Sequence, residues 1–296
     1  MATLYTHQGQ NVRKTWMLMS IFFVIVIGLG FVFSRVYGNP NILYAFVLFS
    51  IVMNIVSYWY SDKIALSLAK AHPATREKYF DFYNIVENLA ITAGLPMPKI
   101  YVIEDPSPNA FATGRDKNHA VVAVTSGLLS IMNKTELEGV VAHEMSHIGN
   151  RDMLLSTVIV VLVGFIAIVS DMMVRMTIFG DHRGNREGNG IFMIIGIILA
   201  ILSPIIATLI QLAISRKREY LADTSGSLLT RYPDGLASAL EKISQYGKPM
   251  KSQSTAIAHL YIANPTGSGQ FAKKVGSLFS THPPIENRIK KLRESL

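Results

Sequence analysis

Within the stretch Thr135 to Asp152, His143, Glu144 and His147 form a His-Glu-x-x-His pattern. On an α-helix, positions i and i+4 share a face, so both imidazoles can reach one ion, and a carboxylate beside the first can take a proton from a water held there. The pattern therefore reads as a zinc site with a general base built in. Its flanks predict a helix: Thr135 followed by Glu138 reads as a capping box, and Gly149-Asn150 as a stop. Val140, Val141, Ala142, Met145 and Ile148 supply the apolar faces that would bury it. The chain has no cysteine, which excludes disulfides and leaves His and carboxylate as the strong metal ligands.

Something must hold this helix, and composition says where. Half of the 296 residues are hydrophobic and only 16% are charged, well short of the quarter usual in soluble domains. The deficit is concentrated in four stretches, Thr15 to Phe33, Ile42 to Tyr60, Met153 to Ser170 and Gly188 to Ser215. Each is long enough to cross a bilayer core as a helix. The expected fold class is thus an integral membrane α-helical protein with four transmembrane helices and, around the His-Glu-x-x-His helix, a mainly α (α+β) domain carrying a small β-sheet. The first stretch lacks a small-residue cleavage site and is followed at once by a second, so it reads as a retained anchor.

The net charge of +8 follows the membrane rather than a nucleic acid. From Arg216 onward there are 13 basic and 6 acidic residues, and basic clusters directly after spans hold loops in the cytoplasm. No aromatic-basic interleaving suggests a nucleic-acid platform, and no P-loop suggests a nucleotide. Four segments result. Residues 1–60 form an anchor hairpin, with Trp16 and Tyr58-Trp59-Tyr60 at headgroup level. Residues 61–152 form a first cytoplasmic part, with a helix over Arg76 to Ala93 and strands over Lys99 to Ile103 and Ala120 to Val124. Residues 153–215 form a second membrane hairpin, with spans over 153–179 and 190–215, a kink at Pro204 and an Asp171/Arg175 pair near the end of its first arm. Residues 216–296 form a second cytoplasmic part, with helices over Arg216 to Leu229, Pro233 to Tyr246 and from Pro284 onward, and a mobile stretch over Lys248 to Gly269.

A catalytic zinc needs a third protein ligand and an open position. Glu219 lies four residues beyond the last apolar stretch, and Asp223 follows one helical turn later on the same face. Two acids spaced this way also suit a solvated helix face. Topology favours the metal: two apolar runs separate His147 from Glu219, so a membrane hairpin returns Glu219 to the zinc helix, where Asp223 can accept the outer N–H of a ligating histidine.

The ordered set of two N-terminal spans, Asn109-Ala110-Phe111-Ala112-Thr113-Gly114, His143-Glu144-Met145-Ser146-His147, a second hairpin, Glu219-x-x-x-Asp223 and Ser280-Thr281-His282-Pro283-Pro284 with Arg288 resembles the HtpX family of bacterial membrane zinc peptidases, related to the CAAX-processing membrane proteases. The resemblance covers nearly the whole chain. It implies one zinc per subunit, held by His143, His147 and Glu219, and Glu144 as the general base. It also implies a peptidase of the bacterial inner membrane that faces the cytoplasm and clears misfolded or damaged membrane proteins. By the same resemblance His282 is catalytic, and Arg288 or Asn109 stabilises the oxyanion or orients substrate; His282 also reads as an ordinary turn residue. Ala120, Val121, Val122, Ala123 and Val124 read either as an edge strand that pairs with substrate or as a core strand. Two enzyme alternatives are an intramembrane zinc protease, disfavoured by the charges around the motif, and a CAAX-type processing peptidase. A non-catalytic membrane assembly factor or transporter with a structural zinc is a third.

Overall fold

A computed structural model describes residues 4–36, 38–162, 216–251, 257–263, 265 and 283–294. Two long helices, α1 (Leu4–Val36) and α2 (Asn41–Leu68), open the chain. Their apolar parts, Gly9–Arg35 and Asn41–Leu68, have mean hydropathies of 2.6 and 1.9 and the length to cross a membrane. Among the described residues, most of the large hydrophobic side chains left exposed belong to them, including Val24, Phe31, Tyr44, Leu48 and Ile55. A stripe of that size is stable only against lipid or another apolar surface. The third apolar stretch begins as a helix, α6 (Met153–Leu162); its remainder, the Asp171/Arg175 pair, Pro204 and the whole fourth stretch lie outside the described residues.

Between these runs sits a four-stranded sheet in the order β1-β2-β4-β3, built from β1 (Ala71–Pro73), β2 (Lys99–Ile103), β3 (Ala110–Thr113) and β4 (Val121–Thr125). β2 and β4 pair parallel; β1 and β3 add antiparallel edges. β2 and β4 stand where the β-branched runs predict strands; the short edges β1 and β3 carry no such signal. The stretch Ala120 to Val124 does not take the edge position that its composition allows: β4 is bonded on one side to β2 and on the other to β3. A central strand has no free N–H or C=O row to offer a substrate.

Both faces of the sheet are covered, which is why β4 is apolar without alternation and buried throughout. On one face Ile100, Val102, Ala110, Ala112, Val122 and Val124 pack with α3 (Phe80–Ala93), α5 (Lys134–Asn150), α8 (Pro233–Tyr246) and α9 (Ile285–Glu294). On the other, Ile103, Phe111, Val121 and Ala123 meet Ala65 and Leu66 of the last turn of α2 and Ala69 just past it, together with Ile257, Leu260 and Tyr261. The short α4 (Ser126–Ile131) leads from β4 to α5.

α5 holds the His-Glu-x-x-His pattern at the centre of the first core, with Val140, Val141, Ala142 and Met145 fully enclosed. Burying each of the larger of these contributes ~1.5–3 kcal/mol, enough to hold a helix that carries two imidazoles and a carboxylate inward. Its cap differs from the expected one by two residues. Asn133 is the N-cap, its side chain accepting from the Glu136 N–H while Glu136 accepts from the Asn133 N–H. The Thr135 hydroxyl instead donates to Asn133 Oδ1 at 2.8 Å, so Asx chemistry two residues earlier takes the frame. The helix ends at Arg151, which adopts the left-handed conformation (φ 54°).

Candidate metal centre

The site is assembled from α5 and from α7 (Arg216–Thr230), which packs across it. Glu219, Asp223 and Gly226 lie on one face of α7 at i, i+4 and i+7. Gly226 explains how close the two helices come: a Cβ there would stand 2.9 Å from the backbone nitrogen of His143 and 3.1 Å from the carbonyl carbon of Ala142. With only hydrogen at that position, α7 lies on the backbone of the metal helix and delivers Glu219 to its histidines.

The three ligand candidates converge. Nε2 of His143 and Nε2 of His147 are 3.2 Å apart, and Glu219 places its two oxygens 3.7 Å from the one and the other. All three donor atoms lie within 4.8 Å of one another. Ligands at zinc distances of ~2.0–2.1 Å in a tetrahedron stand ~3.3 Å apart, so the set fits a divalent ion. The two facing imidazole nitrogens need a proton or a metal ion between them, since two lone pairs at that distance repel. Burial would lower His147, but Asp152, Glu219 and Glu144 outweigh it and push the ring up, while burial pushes His143 down.

Each histidine is fixed from behind. Nδ1 of His143 lies 3.0 Å from Asp223, and Nδ1 of His147 lies 3.1 Å from Asp152. Such carboxylates fix the tautomer that leaves Nε2 free for the ion. Asp223 is held in turn by Arg288, which donates to both of its oxygens at 2.9 and 2.6 Å and to the Ile262 carbonyl at 3.2 Å. Burial would raise the Asp223 carboxyl, but Arg288 and His143 hold it well below the usual range.

Glu144 is buried beside the pair. Burial first, then Glu219, push it up to about 7, against the pull of His147, Arg288 and a hydrogen bond from the Ala112 backbone. A carboxylate poised near neutrality suits a general base. His143, Glu144, His147, Glu219, Asp152 and Ala112 line a cavity of about 30 Å³, room for an ion and a water but not for a peptide. His259 and Ser156 also border it, with His259 Nε2 3.1 Å from the Ser156 carbonyl.

Two expected site residues have further partners. Arg288 is fully enclosed at the edge of the site: it holds Asp223, and its guanidinium stands 3.9 Å from Glu219 Oε2 and 3.4 Å from His143 Nε2. Asn109 is buried too: its amide donates to the Ala263 carbonyl and accepts from the Ala263 and Ala110 N–H groups. It binds the segment 257–263 to the sheet and leaves nothing for substrate. His282 lies outside the described residues. Sequence reasoning missed Asp152 and β3. Asp152 had a usable signal, a carboxylate just past the end of the helix; β3 is four residues after a Pro-rich turn and had none in its hydropathy.

Residues 80–296 match the family described as Peptidase family M48. The chain belongs to peptidase family M48. It is 47% identical over 298 residues to a "Protease HtpX homolog" of Caldanaerobacter subterraneus subsp. tengcongensis, covering 98% of this chain and 97% of that one. A protein of the same description from Tropheryma whipplei is 45% identical, covering 98% of each chain. One from Thermococcus kodakarensis is 46% identical, covering 95% and 94%. The crystal structure of S. mikatae Ste24p superposes with a TM-score of 0.52 at 18% identity, over 95% of this chain and 67% of that one, a likeness of fold. Membership in M48, these relatives and the apolar helices make the protein a membrane metallopeptidase, with His143, His147 and Glu219 as a possible metal site.

Proposed function

We propose that this metallopeptidase is a four-span zinc endopeptidase of the bacterial inner membrane that cleaves misfolded or damaged membrane proteins on the cytoplasmic side. The convergence of His143, His147 and Glu219 beside Glu144 carries this reading. A set of two imidazoles, one carboxylate and an open side is the donor chemistry of catalytic zinc. Bound there, zinc supplies a polarised scissile carbonyl and an acidified water. Glu144 takes the proton of that water on its carboxylate and returns it to the leaving nitrogen, for which a group poised near 7 is matched. Asp223 and Asp152 hold the histidines in the ligating tautomer, Arg288 holds Asp223, and His282 is the candidate donor to the developing oxyanion.

Substrate has a natural seat on β3. The Thr125 N–H donates to the Asn109 carbonyl, and bonded pairs alternate along an antiparallel ladder, so Ala110 and Ala112 present their backbone groups to the open edge. The Ile262 N–H takes the Ala110 carbonyl and the Ala112 N–H donates to Glu144, so it is the Ala112 carbonyl, at the cavity rim, that this edge offers a peptide. An extended peptide added along this edge lies across the metal centre. Four spans and a cytoplasmic site are supported by the basic residues that follow the second and fourth apolar stretches. The test is cleavage of an unfolded membrane protein by the purified full chain, before and after chelation and with zinc restored. Turnover that survives thorough chelation defeats the reading.

A further inference from the structure

We infer that the site selects extended substrate segments by their distance from the membrane, cutting within about ten residues of the substrate's own bilayer boundary. This deepens the peptidase reading and rests on it. The argument is the fixed height of the metal centre, set from two sides.

On one side, α2 runs out of its apolar window straight under the sheet, where Ala65, Leu66 and Ala69 are buried against Ile103, Phe111, Val121 and Ala123. Trp59 and Tyr60, half exposed one to two turns earlier, are the amphipathic rings of a headgroup boundary. The loop that leaves β3 is clamped to that level. Gly114, at φ 138°, turns the chain, and the Arg115 guanidinium lies 4.2 Å from the centre of the Trp59 ring. Asp116 and His119 brace it, 3.1 Å from Nε and 2.8 Å from Nη2.

On the other side, the metal helix is fastened to the anchor. The Asn11 amide of α1 donates to the Asn150 carbonyl at 3.3 Å. Six residues after His147, α6 begins, and its Leu154, Leu155, Val158 and Ile159 pack on Leu18, Met19, Phe22 and Val26 of α1. The catalytic helix therefore cannot lift away from the bilayer without breaking both contacts.

Between these supports β3 runs from the metal to the membrane. Ala112 borders the cavity, β3 ends at Thr113, and past the turn at Gly114 the Arg115 side chain reaches the Trp59 ring, so at most ~10 Å of chain separates the cavity from that level. A strand laid along β3 reaches headgroup depth about three or four residues from the bond beside Glu144, and only a few more join it to its own span. Segments held far from the bilayer meet the same edge only if their chain can bend down to it.

The probe is a single-span polypeptide with an unstructured tail of identical tetrapeptide repeats, so that position alone distinguishes one bond from another. It is reconstituted with the full zinc-loaded chain in vesicles, and cuts are mapped by mass spectrometry. Cuts should cluster in the first ten or so residues beyond the span, and a rigid helical spacer of about twenty residues, ~30 Å long, should lower cleavage at least tenfold. The same tail without its anchor should be cut evenly. Trp59→Ala with Arg115→Ala should spread the cuts outward on the anchored tail without changing the rate on the free one. Even cutting of the anchored tail, or full-rate cutting beyond the spacer, overturns the inference and leaves the peptidase reading standing. Absence of chelator-sensitive cutting on either tail overturns both.

Discussion

Removing the guanidinium of Arg288 tests how the site holds itself together. Arg288 is 0% exposed; it donates to Asp223 at 2.9 and 2.6 Å and to the Ile262 carbonyl at 3.2 Å, and its Nη2 lies 3.4–3.5 Å from the His143 ring nitrogens. In Arg288→Met the thioether fills most of the space, but Asp223 is left as a buried carboxylate with only His143 beside it. Breaking one partner of a buried pair costs ~3–5 kcal/mol, which for a chain of this size class lowers the melting midpoint by ~6–20 °C at ~2–4 °C per kcal/mol. Adding Asp223→Asn removes the stranded charge while keeping an oxygen for the His143 N–H. The double variant should therefore recover more than half of the loss. The assay is thermal unfolding of the metal-free protein in lipid nanodiscs, for wild type, both single variants and the double. A midpoint in Arg288→Met within a degree or two of wild type, or losses that simply add, would refute the assignment of Arg288 as the counter-charge of Asp223.

Three further outcomes follow from the same geometry. Asp152→Ala takes the partner from Nδ1 of His147 and should weaken zinc binding by ~10–100-fold; competition titration against a chromophoric chelator measures it, and unchanged affinity would show that Asp152 does not fix the ring. Gly226→Ala puts a Cβ 2.9 Å from the His143 nitrogen, so α7 must move off α5 at a cost of ~1–3 kcal/mol; metal occupancy should fall because Glu219 rides on the same face, and full occupancy with an unchanged melting midpoint would contradict the packing account. Metal uptake should also depend on pH. In the metal-free protein Asp152, Glu219 and Glu144 hold His147 protonated well above neutrality, so near pH 7 the ion must displace a proton, and affinity should rise ~10-fold per pH unit until His147 is neutral. Calorimetry in two buffers of different ionisation enthalpy counts that proton, and a count of zero would reverse the sign of the argument.

The parts of the site legible in the sequence are those written in short-range spacing. His143 and His147 are one turn apart, as are Glu219 and Asp223, and helical periodicity alone puts each pair on one face. That the two pairs meet was readable only through topology, because two apolar runs separate them and their ends must share one side. What the sequence could not show was set by contacts between distant segments. Asn109 looked like a candidate for substrate because its neighbours resemble a family motif, yet its amide is spent on Ala263, 154 residues away. Arg288 looked free to meet an oxyanion, but its carboxylate partner is 65 residues earlier and invisible to any local pattern. β4 read as strand from its β-branched run; whether it was an edge depended on β3, too short and too plain to announce itself. The capping frame slipped because Asn133 and Thr135 are both competent caps, and only backbone geometry chose between them.

The central claim is that Glu144 moves the proton while His143, His147 and Glu219 hold the metal. It is tested most directly by measuring zinc content and peptide turnover on the same preparations of wild type, Glu144→Gln and Glu219→Ala. The expected result is that Glu144→Gln keeps its zinc and loses turnover by two to four orders of magnitude, roughly the contribution of a positioned acid–base group, whereas Glu219→Ala loses both. Near-normal turnover in Glu144→Gln, or full zinc in Glu219→Ala, would contradict the account.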